Sequence, residues 1–287
     1  MRVDARGLTF DVTVAGPAAA SGVALLLHGF PQNGRMWDAV VPRLHAAGLR
    51  TVVPDQRGYS PGARPGDAAA YRVSELAADA LALLDALAVS EPVHLVGHDW
   101  GALVGWHLAA HRPDRLRTWT AVSVPHQAAF AFALATDADQ RRRSAYIRFF
   151  RLRGVAETVL KAADGRRLRG VFDGSGLDAD AVDRYVAPLL APGALTGALN
   201  WYRALGRGLP DLLPARVPTT FVWSDGDMAV GRTAAEACGR HVSGDYEFVE
   251  LPGVTHWIPD QVPDRLADIV LARVFRDLGG SGLVSEP

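Results

Sequence analysis

Five residues constrain this chain more than any others: Gly97, His98, Asp99, Trp100 and Gly101. A run rich in apolar and β-branched residues (93–96) leads into them, and a helix-forming run (102–110) follows almost at once. A chain that leaves a buried strand and enters a helix within so few residues needs a sharp turn, and the glycines flanking Asp99 permit one. Such a turn lifts the central side chain clear of the sheet and presents the next backbone N–H groups at a helix start. Serine is the usual occupant of that apex. Aspartate changes the chemistry, because a carboxylate is charged at neutral pH without help from a base. It can displace at a saturated carbon and give an ester that water then cuts. The competing reading makes Asp99 a helix cap, and its partners elsewhere in the chain decide between the two.

Around this turn, strands and helices alternate. Residues 8–14 alternate apolar and polar side chains before Gly16 and Pro17, which predicts an edge hairpin strand. Residues 23–27 and 51–53 are continuous apolar runs of the kind found in buried parallel strands. The first runs into His28, Gly29, Phe30 and Pro31, and the second into a loop over residues 54–62. Helical periodicity covers 36–47 and 74–87, and 116–124 is the next strand. This order predicts right-handed βαβ units and a mainly parallel sheet. The alternation then breaks: residues 126–214 read as helical, with loops at 173–176 and 191–193. It resumes with strand 219–223, helix 233–238, strand 246–251 and helix 264–278. The expected organisation is an α/β core (1–125 and 215–278) with a helical cap (126–214) inserted over the carboxyl edge of the sheet. That edge is where open α/β sheets hold ligands. Residues 279–287 are expected to form a disordered tail.

Charge excludes some classes of function. The 287 residues carry 30 basic and 31 acidic side chains, so nothing global attracts nucleic acid or an anionic membrane. No run approaches the ~20 apolar residues of a spanning helix, and the N-terminus has no apolar signal core. Cys238 is the only cysteine, which excludes an intrachain disulfide and thiol-rich metal sites. Lys161 is the only lysine, an arginine bias expected of a GC-rich bacterial coding sequence. A cytoplasmic protein with no membrane or nucleic-acid partner is the expectation.

A nucleophile on such a turn needs an acid and then a histidine on later strand ends, in that chain order. The strand at 219–223 ends in Ser224, Asp225, Gly226 and Asp227, and the strand at 246–251 is followed by Gly253, Val254, Thr255, His256 and Trp257. Asp225 and Asp227 both qualify as the acid, and His256 falls where the base is needed. His94, His107 and His111 lie on a strand and a helix, where packing or exposure explains them.

These residues resemble the α/β-hydrolases, and within them the epoxide hydrolases that use an aspartate nucleophile. The likeness covers nearly the whole chain: His28-Gly29-Phe30-Pro31, Asp55-x-Arg57-Gly58-Tyr59-Ser60, Gly97-His98-Asp99-Trp100-Gly101, Asp227 and Gly253-x-x-His256-Trp257. It implies an α/β-hydrolase fold with a mostly parallel eight-stranded sheet, and it makes Asp227 the acid and Asp225 a turn residue. It implies an oxyanion hole from the Phe30 and Trp100 amides, with Pro31 setting the turn, open to a cis bond. Epoxide oxygen also needs a proton donor, and a phenol with a pKa of ~10 stays protonated at neutral pH. Similar enzymes use two cap tyrosines. One lies in an Asn-Trp-Tyr-Arg run, repeated here as Asn200-Trp201-Tyr202-Arg203, and the other precedes a Gly-Val-Ala-Glu segment, here residues 154–157 downstream of Tyr146.

The implied activity opens an apolar epoxide with water, without metal or organic cofactor; a homodimer is allowed. Phe30, Trp100, Trp201 and Trp257 are candidates to line the substrate pocket, whereas Trp106 and Phe132 suit core packing equally well. Residues 141–143, three arginines, read as a solvated cap face, with a grip on an acidic substrate as the alternative. Haloalkane dehalogenases resemble this chain in the aspartate and Trp100 but have asparagine where it has Phe30, and the fluoroacetate type resembles it in the run from His28 to Gln32 but has arginine where it has Trp100. A ligand-binding protein without catalysis, or an enzyme cyclising its product with an internal nucleophile, completes the alternatives.

Overall fold

The computed structural model describes residues 1–205 and 213–280. Strands β1 (Arg2–Ala5), β2 (Leu8–Ala15), β3 (Gly22–Leu27), β4 (Leu49–Pro54), β5 (Val93–His98), β6 (Leu116–Val122), β7 (Thr219–Gly226) and β8 (Tyr246–Thr255) form one sheet. Its order is β1-β2-β4-β3-β5-β6-β7-β8. The β1–β2 and β2–β4 pairs are antiparallel and every other pair is parallel. Residues 8–14 were expected at the edge, but β1 covers them. That strand has only four residues, with Val3 and Ala5 turned inward, too short for its alternation to stand out.

Helices α1 (Val41–Ala46), α2 (Val73–Ala86) and α3 (Trp100–His111) follow β3, β4 and β5. The single helix expected over 36–47 is a 3-10 turn, Gly34–Trp37, followed by the shorter α1. Pro42 explains the division: it lacks an N–H to continue a helix but suits the first turn of a new one. Between β6 and β7 the named elements are all helical. They are α4 (Gln127–Thr136), α5 (Ala138–Arg143), α6 (Tyr146–Phe150), α7 (Val155–Arg169), α8 (Ala179–Leu190) and α9 (Ala194–Ala204). Non-helical backbone at Ala162, Ala163, Asp164 and Gly165 breaks α7 into two pieces. Then come α10 (Arg232–Ala237), α11 (Ile258–Gln261) and α12 (Pro263–Gly280). The last helix includes Gly279 and Gly280, which were expected in the tail; the remainder of that tail lies outside the described residues, as do 206–212. No described helix is long and apolar enough to cross a membrane.

Ala24, Leu25, Leu26 and Leu27 have no exposed surface, as a central parallel strand covered on both faces requires. Helix α3 seats directly on β6: a Cβ on Gly105 would stand 2.0 Å from the Trp119 ring. The loop after β4 is tied down by Arg57, whose Nε and Nη2 each lie 2.6 Å from Asp79 on α2, with Arg6 on the same carboxylate at 2.8 Å. Arg57 and Asp79 are both buried, and removing one side of such a pair typically costs about 3–5 kcal/mol. That anchored loop supports helix α9. Gly58 and Gly197 meet so closely that a Cβ on either would lie 2.8 Å from the other's backbone, and the Trp201 indole donates to the Arg57 carbonyl at 2.8 Å.

Candidate active site

Because the central strands run in parallel, residues just past their carboxyl ends gather on one edge of the sheet. Phe30 follows β3, Asp99 follows β5, Asp227 follows β7 and His256 follows β8. Four remote stretches of sequence thus meet in one place.

Asp99 has φ 52° and ψ −116°, a conformation that costs a non-glycine residue about 1–3 kcal/mol. Its surroundings enforce it. The Asp99 N–H donates to Val122 O at 3.2 Å, and its carbonyl accepts from Ala102 and Leu103 at 3.0 and 3.2 Å. Only glycine fits beside it: a Cβ on Gly97 would lie 2.4 Å from Gly101 O, and one on Gly101 2.2 Å from Leu27 O. A Cβ on Gly29 would reach 2.4 Å from Asp99 itself. The Asp99 side chain makes no capping bond to α3. Its Oδ1 instead accepts the Phe30 N–H at 2.7 Å, which removes the cap interpretation. The Phe30–Pro31 bond is cis. Among the described hydrogen bonds to this carboxylate the Phe30 amide is present and the Trp100 amide is not.

Asp227 Oδ2 lies 2.8 Å from His256 Nδ1, and Asp227 Oδ1 accepts from the Ala229 and Val230 amides at 2.7 and 3.0 Å. Asp227 has no exposed surface. Asp225 is exposed and spends its carboxylate on the Gly253 N–H at 2.7 Å, a turn residue. The far nitrogen of His256, Nε2, stands 3.7 Å from Asp99 Oδ2. Burial alone would push the His256 imidazole down, but Asp227, by charge and hydrogen bond, and Asp99 outweigh it and raise it to about 10. Burial pulls Asp99 the other way, toward protonation. The His256 cation and the Phe30 N–H prevail and hold it below the usual carboxylate range. The His256 ring thus lies between the Asp227 and Asp99 carboxyl groups, 2.8 Å from one and 3.7 Å from the other.

Aromatic rings from the helical block wall this site. The Tyr202 ring meets Phe30 at 5.3 Å, Trp100 at 5.1 Å and Phe150 at 5.0 Å between centroids. Tyr146 packs on Phe150 at 5.2 Å and on Tyr202 at 6.1 Å. Burial raises both phenols above their ordinary value, and the Asp99 charge raises them further, so both hold their protons. Phe150, which the pattern of residue types did not single out, completes this wall, one helical turn beyond Tyr146. Trp201 does not share it. Fully buried, it stands behind Trp100, edge-on at 5.4 Å, packs on Tyr59 at 5.4 Å and donates to the Arg57 carbonyl. Trp257 is wedged between His256 and Phe172, with centroids 5.1 and 4.5 Å away. Trp106 is a core residue bonded to Val124 O at 3.0 Å, and Phe132 lies exposed under Arg240. The arginines at 141–143 serve the helical block itself: Arg141 bonds Leu134 and Ala135 carbonyls, Arg142 and Arg143 pair with Asp139, and Arg143 also donates to the Asp227 carbonyl. No three ligating side chains cluster for a metal among the described residues.

Residues 23–262 match the family model of the alpha/beta hydrolase fold. The chain is 33% identical to the AB hydrolase superfamily protein YfhM of Bacillus subtilis, covering 94% of this chain and 95% of that protein. It is 30% identical to epoxide hydrolase A of Mycobacterium tuberculosis, with 94% and 95% covered. Among solved structures, a novel epoxide hydrolase from hot-environment metagenomes superposes with a TM-score of 0.85 at 28% identity over 96% of this chain and 97% of that one. Epoxide hydrolase A of Mycobacterium thermoresistibile gives 0.81 at 26% identity over 96% and 97%. With these relatives, and with its parallel sheet carrying an aspartate on a strained strand-to-helix turn, the chain belongs to the α/β-hydrolase superfamily.

Proposed function

We propose that this protein hydrolyses apolar epoxides to vicinal diols through an ester on Asp99. The observation that carries the reading is the division of labour on the Asp99 carboxylate. Oδ1 is held by the Phe30 N–H at 2.7 Å, while Oδ2 lies on the side of His256, 3.7 Å from its Nε2, and is the oxygen assigned to the attack. Oδ2 displaces at one epoxide carbon and the ring C–O bond breaks. A phenol, Tyr146 or Tyr202, protonates the departing oxygen. The ester leaves Asp99 uncharged, so His256 loses one of the two anions that hold its proton. That proton restores the phenol, and the imidazole, still oriented by Asp227, becomes a base. It takes a proton from water, which attacks the Asp99 carboxyl carbon. The oxyanion forms on Oδ1, where the Phe30 N–H is already in place; such a donor is typically worth about 2.7–4 kcal/mol. Collapse releases the diol and restores carboxylate and imidazolium, so the protons balance. The named function of the relatives, epoxide hydrolysis, supports the same substrate class.

Phe30 offers no side-chain donor to a halide, and the phenols supply what an epoxide requires and a carbon–halogen bond does not. Assayed against styrene oxide and 1-bromobutane, the protein is expected to form diol and to release no bromide. Replacing Tyr146 and Tyr202 together by Phe should lower ring opening by about 10²–10⁴-fold, the usual worth of general acid catalysis. Bromide release, or diol formation undiminished in the double variant, contradicts the assignment.

A further inference from the structure

We propose that His98 and Ser123 are positioning residues that clamp the backbone of His256. The inference rests on the ester route above. The His256 carbonyl accepts His98 Nε2–H at 2.9 Å and the Ser123 hydroxyl at 3.0 Å, which fills both of its lone pairs. One residue earlier, the Thr255 carbonyl accepts the Ser224 hydroxyl at 2.8 Å. The ends of β5, β6 and β7 thus each place one donor on the two peptide units that carry the base.

Ser123 pays for its place with strain. Its φ is 68°, in the left-handed region, and its N–H bonds Val222 O at 2.9 Å. A non-glycine residue held there beside a reactive centre points to a role for its side chain. The hydroxyl's target, the His256 carbonyl, supplies one. His98 is fully buried, its ring centroid 4.8 Å from that of His256. Donating through Nε2 leaves its Nδ1 unprotonated, buried and without a partner among the described residues. Burial, followed by the neighbouring imidazolium, lowers His98 to about 4, so it stays neutral while its neighbour titrates.

Asp227 fixes the His256 ring at one nitrogen only; the position of the other depends on the backbone from which the ring hangs. An error of ~1 Å in such a reach typically costs about 100-fold. Ring opening by Asp99 and the phenols does not use that reach. Loss of the clamp should therefore slow ester hydrolysis and spare ester formation.

The test is single-turnover analysis with styrene oxide, following the protein adduct by intact mass and the diol by quench. In Ser123→Ala and His98→Leu, ester formation should stay within about threefold of wild type while ester hydrolysis falls about 10–100-fold. His98→Gln, which keeps an N–H donor near the Nε2 position, should recover most of the lost hydrolysis rate. Ester formed and cut at wild-type rates in both loss variants overturns the clamp alone, as does a parallel fall of both steps. If His98→Leu does not fold, Ser123→Ala, which removes only a hydroxyl, decides the matter. Wild-type turnover with no Asp99 ester overturns the ester route and the clamp together.

Discussion

Replacing Asp99 by alanine is expected to lower diol formation by about ten-thousandfold or more, since a nucleophile that forms the covalent bond has no substitute in the site. The other carboxylate of the constellation, Asp227, is fully buried and spends both oxygens on His256, Ala229 and Val230, so it cannot take over the attack. The substitution leaves the Phe30 N–H without its acceptor and His256 with one anion fewer, but the turn itself is held by backbone bonds that alanine keeps. A folded protein with an unchanged circular dichroism spectrum and no adduct by intact mass is the expected outcome. Diol formation within tenfold of wild type would remove Asp99 from the chemistry.

Replacing His256 by glutamine should separate the two halves of the reaction. Ring opening needs the Asp99 carboxylate and a phenol, both retained, so one equivalent of epoxide should add to the protein. Release should then stall, with turnover lower by about 10²–10⁴-fold, the range for loss of a general base. The adduct is read directly by mass. In wild type, pH separates the same halves. Ring opening requires ionised Asp99, which the His256 cation and the Phe30 N–H hold below the ordinary carboxylate range. Its rate should therefore persist to lower pH than an unperturbed carboxylate allows. Ester hydrolysis requires neutral His256. With Asp99 intact, His256 stands at about 10, held up by Asp227 and Asp99 against burial. Esterification removes the Asp99 charge, so the hydrolysis rate should rise with pH through a midpoint below 10 and then level off. A midpoint at or above the free-enzyme value would contradict the role given to the vanished charge.

Much of this site was legible because local chemistry demands it. Gly97 and Gly101 flank a residue that must leave a strand and enter a helix, and no Cβ fits at either place. Strand ends followed by Asp227 and His256 placed the remaining members on the same edge. What escaped has a physical cause in each instance. Trp201 and Tyr202 share one motif, but neighbours on a helix point about 100° apart. The tyrosine therefore joins the wall near Asp99 while the tryptophan bonds the Arg57 carbonyl. Ser123 and His98 reach His256 across 133 and 158 residues of chain, and a serine carries no mark of its positive φ. Arg143 belongs to a basic run whose composition suits a solvated face, and nothing in that run marks its bond to the Asp227 carbonyl. Strand β1 was too short to announce itself, and Pro42 divided a helix whose apolar spacing suggested a single piece.

A single turnover in ¹⁸O water with enzyme in excess tests the covalent step most directly. If Oδ2 of Asp99 attacks the epoxide, the first diol carries unlabelled oxygen from the protein, and the label enters the peptide that contains Asp99. Solvent oxygen in the diol of that first turnover, with Asp99 left unlabelled, would mean that water attacks the ring itself and that no ester forms.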